Sequence, residues 1–121
     1  MIQGIGVDIV RVERFVPWLG DKKKLGRYFH PREIQTCLLH YSPEQSFAAR
    51  YAAREAFSKA LGTGLRNVRL NELRVEQDEA GKPHLHITDD LEKILKARGA
   101  DHVHVSLSHE KDYAVAVVVI E

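Results

Sequence analysis

The chain predicts an α+β fold, an antiparallel sheet packed on one long central helix, and three observations carry that reading. Residues 113–120 form an apolar run suited to a central strand. Residues 2–10 alternate with strand periodicity, and residues 42–61 combine helix-start residues with an alanine-rich stripe that Gly62 can end. A single domain over residues 1–121 suits the length, which is enough to bury about two-thirds of the unfolded surface. Hydrophobic residues make up 44% and charged residues 29%, a globular balance. No run approaches the roughly 20 apolar residues of a membrane span, so no membrane partner is expected. The start, Met1-Ile2-Gln3-Gly4-Ile5, lacks the basic and apolar regions of a signal peptide. Cys37 is the lone cysteine, which excludes an internal disulfide and predicts a cytoplasmic setting. A net charge of +1 argues against nucleic acid as a partner.

Along residues 2–10, Ile5, Val7 and Ile9 alternate with Gly4, Gly6 and Asp8. Asp8 therefore shares a face with two glycines, and glycine in a strand marks close approach by a ligand or by another backbone. Residues 11–19 predict a helix burying Val12, Phe15, Val16 and Leu19, with Pro17 weakening its second half. Gly20-Asp21-Lys22 predicts a loop, and Pro31 the first turn of a short helix through Leu39. Ser42, Pro43 and Gln45 supply the N-cap, N1 and N3 of the long helix. At about 100° per residue, Ala49, Ala53, Ala56, Phe57, Ala60 and Leu61 share one face, while Tyr51, Glu55, Ser58 and Lys59 project from the other. Residues 73–77 and 84–88 then predict a hairpin around Glu79-Ala80-Gly81. Asp89 as N-cap with Glu92 at N3 opens a helix on Leu91, Ile94 and Leu95 that Gly99 ends. Residues 102–108 and 113–120 are two strands joined by a turn at Glu110-Lys111-Asp112.

The chemistry concentrates in residues 4–8 and 54–64. Glu55 and Lys59 stand four apart in the order that favours a helical ion pair, which alone is ordinary surface decoration. Three neighbours add weight: Ser58 beside them, Gly62-Thr63-Gly64 directly after, and Asp8 as a second carboxylate. A glycine-flanked loop lets backbone N–H groups reach phosphate oxygens. Two carboxylates without thiolates suit a hard cation such as Mg2+, and a nearby lysine stabilises phosphate charge. His84, His86, His102 and His104 have strand spacing and read as solvated edge residues rather than zinc ligands. His109, beside Ser106 and Ser108 at a turn, is either a surface histidine or a ligand contact. Cys37 reads as a small buried thiol, and Phe15 and Trp18 as core aromatics. Arg11, Arg14, Lys22, Lys23, Lys24, Arg27 and Arg32 make either a solvated surface or a docking face for an acidic partner.

Five blocks, GIGVDIVRVERF at 4–15, FHPREIQTC at 29–37, YAAREAFSKALGTG at 51–64, GKP at 81–83 and VSLSHEKDYAVAVVV at 105–119, resemble in order the holo-acyl-carrier-protein synthases. These are the short form of the 4′-phosphopantetheinyl transferase superfamily. The resemblance implies the 4′-phosphopantetheinyl transferase fold, a homotrimer with active sites between subunits, and a need for Mg2+. It implies transfer of the 4′-phosphopantetheine arm of coenzyme A to a serine of an acyl carrier protein, releasing adenosine 3′,5′-bisphosphate. Carried onto this chain, it makes Asp8 and Glu55 the metal ligands and puts Lys59 on the phosphates. Ser58, Gly62 and its loop would lie against coenzyme A, and Lys82 and Pro83 near the adenine. His109 of a neighbouring subunit would bind the phosphate end. Arg14, with Arg11, Lys22, Lys23, Lys24 and Arg27, would face the acidic carrier. Family members often carry lysine where this chain has Arg54, which keeps the charge for a phosphate contact but not for proton shuttling.

Positioning and charge neutralisation would then drive attack of the serine hydroxyl on the β-phosphate. Glu55, directly or through a water, is the expected base, with a water held by Asp8 behind it. Two other classes remain as alternatives. A metal-dependent phosphohydrolase would use the same carboxylates with water as nucleophile. A non-catalytic carrier-protein or nucleotide-binding module would need only the basic face.

Overall fold

The computed structural model describes residues 1–62 and 69–121. In chain order, β1 (Gly4–Arg11) leads through two 3-10 turns to α1 (Lys22–Tyr28), α2 (Pro31–Leu38) and the long α3 (Pro43–Leu61). The hairpin β2 (Arg74–Gln77) and β3 (Pro83–His86), the helix α4 (Asp89–Ala97), and the strands β4 (Val103–His109) and β5 (Tyr113–Ile120) follow. The expected α+β class and antiparallel sheet are what the chain forms: β5 lies between β1 and β4, antiparallel to both.

Two glycines decide how α3 meets this sheet. A methyl group at Gly6 would overlap the backbone carbonyl of Ala56, and one at Gly4 that of Ala60. The close approach expected at these glycines is therefore that of a helix backbone, met by alanines on its side. Ala52, Ala53, Ala56, Phe57, Ala60 and Leu61 are buried on α3, with Ala114, Ala116, Val118 and Ile120 of β5 buried in the same core. The opposite sheet face carries Ile5, Val7 and Ile9, registered against Val119, Val117 and Val115. Ile5, Val7 and Ile9 are 62%, 54% and 61% exposed in the single chain.

Several local expectations are corrected. Residues 11–19 form two 3-10 turns, Val12–Phe15 and Pro17–Gly20, rather than one helix, because Pro17 has no N–H to continue the first. The expected loop at Asp21-Lys22 instead starts α1, where the Asp21 carboxylate accepts from the Lys24 N–H at 3.0 Å. Thr88 rather than Asp89 caps α4, its Oγ1 accepting from the Leu91 N–H at 3.3 Å. Ser42 makes no side-chain cap and donates instead to the Glu44 carboxylate at 2.6 Å. The second hairpin strand ends at His86, and Asp78 holds the turn by accepting from the N–H groups of Ala80 and Lys82, each at 2.9 Å. Phe15 and Trp18 are buried, as is Cys37, whose thiol burial pushes to a higher pKa. Among the described residues no helix is long and apolar enough to cross a membrane.

Candidate active site

The glycine-to-helix contact brings β1 and α3 close enough for their polar side chains to meet beyond it. Asp8 follows Gly6 on the same strand face, and Lys59 precedes Ala60 on α3. The Lys59 ammonium donates to Asp8 Oδ1 and to the Val7 carbonyl, both at 3.0 Å. The lysine expected to pair with Glu55 along its own helix pairs across to the strand instead. Asp8 is only 14% exposed at its side chain and Lys59 is 56% exposed, so the pair opens to solvent from the lysine side.

Glu55 lies one turn before Lys59 on the solvent side of α3, half-buried. Among the described residues its carboxylate has no ion-pair partner within 4.0 Å. Tyr51, one turn further back, feels it: burial first and the Glu55 charge second push the tyrosine hydroxyl to a higher pKa. Ser58 is half-buried and Gly62 exposed on the same helix end. Gly62 takes φ +78°, and its N–H bonds the carbonyls of Ser58 and Lys59, so this glycine ends α3 as expected. Thr63 and Gly64, the rest of the expected phosphate loop, lie outside the described residues.

The donor set fits magnesium. Asp8 and Glu55 offer carboxylate oxygens with no thiolate or imidazole beside them, and no cluster of three or more metal-ligating side chains occurs among the described residues. Magnesium takes one or two carboxylates and completes its shell with phosphate and water, so a partial site of this kind matches it.

Arg54 corrects an expectation. Its side chain is 1% exposed, and its guanidinium is fully engaged inside the protein. It pairs with both oxygens of the buried Glu33 and donates to the carbonyls of Arg50 at 3.1 Å, Leu70 at 3.1 Å and Leu73 at 2.7 Å. No donor faces outward to meet a phosphate. Glu33 in turn accepts from the N–H groups of His30 and Val75, each at 2.9 Å. One buried carboxylate thus ties α2, α3 and β2 together. The sequence signal was present in the Glu33 that follows Pro31 by two, an acceptor for the α2 N-terminus.

His109, Lys82 and Pro83 lie apart from the carboxylates. The β-ladder partner of His109 is Ala114, while that of Asp8 is Ala116, with β5 between their strands, so strand spacing alone puts the backbones about 10 Å apart. His109 and Pro83 line one cleft of about 160 Å³ with Thr36, His40, Arg50 and Leu107. Lys82 and Pro83 line an adjoining cleft of about 270 Å³ against Val117 and Val119. Neither cleft contains Asp8, Glu55 or Lys59. A single chain therefore carries two separate groups of candidate residues.

The basic stretch is exposed at Arg11, Arg14, Lys22, Lys23 and Arg27, with Lys24 half-buried. Arg11 lies 3.8 Å from Glu13, and Lys24 sits over the Trp18 ring at 4.6 Å. Arg14 lies over the ring of Tyr51 on α3 and donates to its hydroxyl.

Known proteins resemble this chain over its whole length. The 4′-phosphopantetheinyl transferase superfamily profile matches residues 4–118. A holo-[acyl-carrier-protein] synthase of Treponema pallidum is 47% identical over 100% of this chain and 97% of its own. A crystal structure of the holo-[acyl-carrier-protein] synthase from Neisseria meningitidis superposes with a TM-score of 0.89 at 36% identity, covering 100% of this chain and 99% of that one. The Bacillus anthracis enzyme, solved in complex with coenzyme A (3′,5′-ADP), superposes at 0.81 with 35% identity, covering 100% and 97%. Matched by the family profile over residues 4–118 and by relatives and fold over the whole chain, the chain belongs to the 4′-phosphopantetheinyl transferase superfamily.

Proposed function

We propose that this chain transfers the 4′-phosphopantetheine group of coenzyme A to a serine of an apo-acyl carrier protein, with Asp8, Glu55 and Lys59 as the reacting centre. The relatives named as holo-[acyl-carrier-protein] synthases and the coenzyme A complex support the reaction. The observation that carries the site is the Asp8–Lys59 contact one helical turn from Glu55. It puts one carboxylate against the cation at the open edge of the β1–α3 junction, and the position of Glu55 one helical turn along α3 supports its joining them.

Asp8 and Glu55 would hold Mg2+, which when bound neutralises pyrophosphate charge. Lys59, more than half exposed, exchanges Asp8 for phosphate oxygens and stabilises charge as the leaving group departs. Glu55 takes the serine proton, directly or through a water. The serine oxygen–phosphorus bond forms and the phosphorus–oxygen bond to adenosine 3′,5′-bisphosphate breaks. Ser58 and Gly62 line the coenzyme side of the helix end.

The separation of His109, Lys82 and Pro83 from these residues supports a site completed by a neighbouring subunit. The apolar rows Ile5–Val119, Val7–Val117 and Ile9–Val115 support a homotrimer built on this sheet face. Its burial would bring one subunit's His109 cleft towards the next subunit's carboxylates. The basic face from Arg11 to Arg27 receives the acidic carrier, in the cytoplasm.

The test is to incubate the protein with coenzyme A, with and without Mg2+, and apo-acyl carrier protein, and to weigh the carrier. A gain of one phosphopantetheine that requires Mg2+ is expected. Release of phosphopantetheine without carrier modification would favour a phosphohydrolase, and binding without turnover a docking module.

A further inference from the structure

Tyr51 stands on α3 one turn before Glu55 and contacts Arg14 of the basic stretch. Its hydroxyl accepts a hydrogen bond from Arg14 Nη2 at 3.3 Å, and the Arg14 guanidinium lies over its ring, 4.9 Å from the centroid. The ring is wedged among Phe15, Trp18 and Tyr28, with centroids 5.3, 6.0 and 5.9 Å away. Its backbone is one turn before Glu55 on α3, about 6 Å along the axis. A tyrosine hydroxyl is neutral at ordinary pH, and burial with the Glu55 charge shifts it further that way, so it serves Arg14 as a dipole and not as a counter-charge that would cancel it.

We propose that Tyr51 is a positioning residue that tethers the carrier-docking guanidinium of Arg14 at a fixed offset from Glu55. The proposal rests on the transferase reading above and adds how docking is registered to chemistry. Arg14 sits on a 3-10 turn at the surface, and a free arginine there would lose rotamer entropy when a partner carboxylate engaged it. Clamped by a ring and one hydroxyl, it has already lost part of that freedom. One of its N–H donors is used by Tyr51, and others remain for an acidic group on the carrier. Because the clamp is built on the turn of α3 that precedes Glu55, a carrier held by Arg14 presents its serine at a set distance from the reacting carboxylates.

The test uses Tyr51→Phe, which keeps the ring and its packing and removes only the hydroxyl that accepts from Arg14. KM is measured for apo-acyl carrier protein and for coenzyme A, in otherwise wild-type protein and in an Arg14→Ala background, with thermal unfolding recorded for each variant. Tyr51→Phe is expected to raise the carrier KM about three- to tenfold, with coenzyme A KM held within about twofold. In the Arg14→Ala background the same substitution should have no further effect. If Arg14→Ala raises the carrier KM but Tyr51→Phe does not, the tether is wrong and the docking face stands. If Tyr51→Phe costs the same factor in both backgrounds, Tyr51 acts on Glu55 or on packing, and the tether is overturned. If Arg14→Ala itself leaves the carrier KM unchanged, the docking face fails and the tether with it.

Discussion

Adjacent turns of α3 carry two ion pairs of similar chemistry and opposite setting. Arg54 and Glu33 are almost fully buried, and every guanidinium N–H of Arg54 and both oxygens of Glu33 are met by α2, α3 or the segment entering β2, with Arg50 Nε a second cationic group 4.0 Å from Glu33. Lys59 and Asp8 sit at the helix edge, with the lysine 56% exposed. A buried, hydrogen-bonded pair resists rearrangement, because parting it strands a charge in a low dielectric. An open pair contributes little to stability and can change partners at little cost. The helix therefore devotes its inward arginine to architecture and leaves its outward lysine able to exchange partners.

Removing one partner of the buried pair should have the largest effect on folding. Glu33→Gln is expected to destabilise the protein by about 3–5 kcal/mol, read from denaturant midpoints, because Arg54 keeps its charge and loses its partner. A loss below about 1 kcal/mol would mean that the buried network is not what holds α2 to α3. The open side is expected to break in the other direction. Asp8→Asn and Glu55→Gln should each lower kcat by about 100- to 1,000-fold under saturating coenzyme A and Mg2+, with stability changed by less than about 1 kcal/mol. Near-normal turnover in both would remove them from the site. Lys59→Met should be milder, about 10- to 100-fold in kcat/KM for coenzyme A, since one charge among several is lost. Smaller still is the salt effect on docking: raising ionic strength from low to about 0.15 M should increase the carrier KM severalfold and leave coenzyme A KM less changed. A carrier KM indifferent to salt would return the basic stretch to an ordinary solvated surface.

The contrast also explains what was legible in the sequence. Strand and helix periods are local, so β1, α3 and β5 could be read directly, and Gly4 and Gly6 announced a close approach. What approached them was a matter of tertiary packing, and only the fold shows that it is α3. The α1 helix was missed because three lysines and Gly26 leave it one buried side chain, Leu25, and no apolar stripe to detect. Arg54 was misassigned for a similar reason: its charge is visible in sequence, but the carboxylate that consumes it lies 21 residues away. Lys59 looked like a partner for Glu55 because spacing favours that pair, and the strand contact that replaces it has no local signal. His109 could be marked as a strand-end residue, while its distance from Asp8 follows only from the strand order β1-β5-β4.

The division of labour between the two pairs is tested most directly by one side-by-side measurement. Asp8→Asn and Glu33→Gln are incubated with coenzyme A, Mg2+ and apo-acyl carrier protein at a temperature where circular dichroism shows both to be folded, and carrier mass is followed over time. The account predicts that folded Glu33→Gln, despite its lower unfolding temperature, converts the carrier, whereas the more stable Asp8→Asn leaves it almost unmodified. Conversion by Asp8→Asn at a near wild-type rate, or a folded Glu33→Gln as inactive as Asp8→Asn, would contradict it.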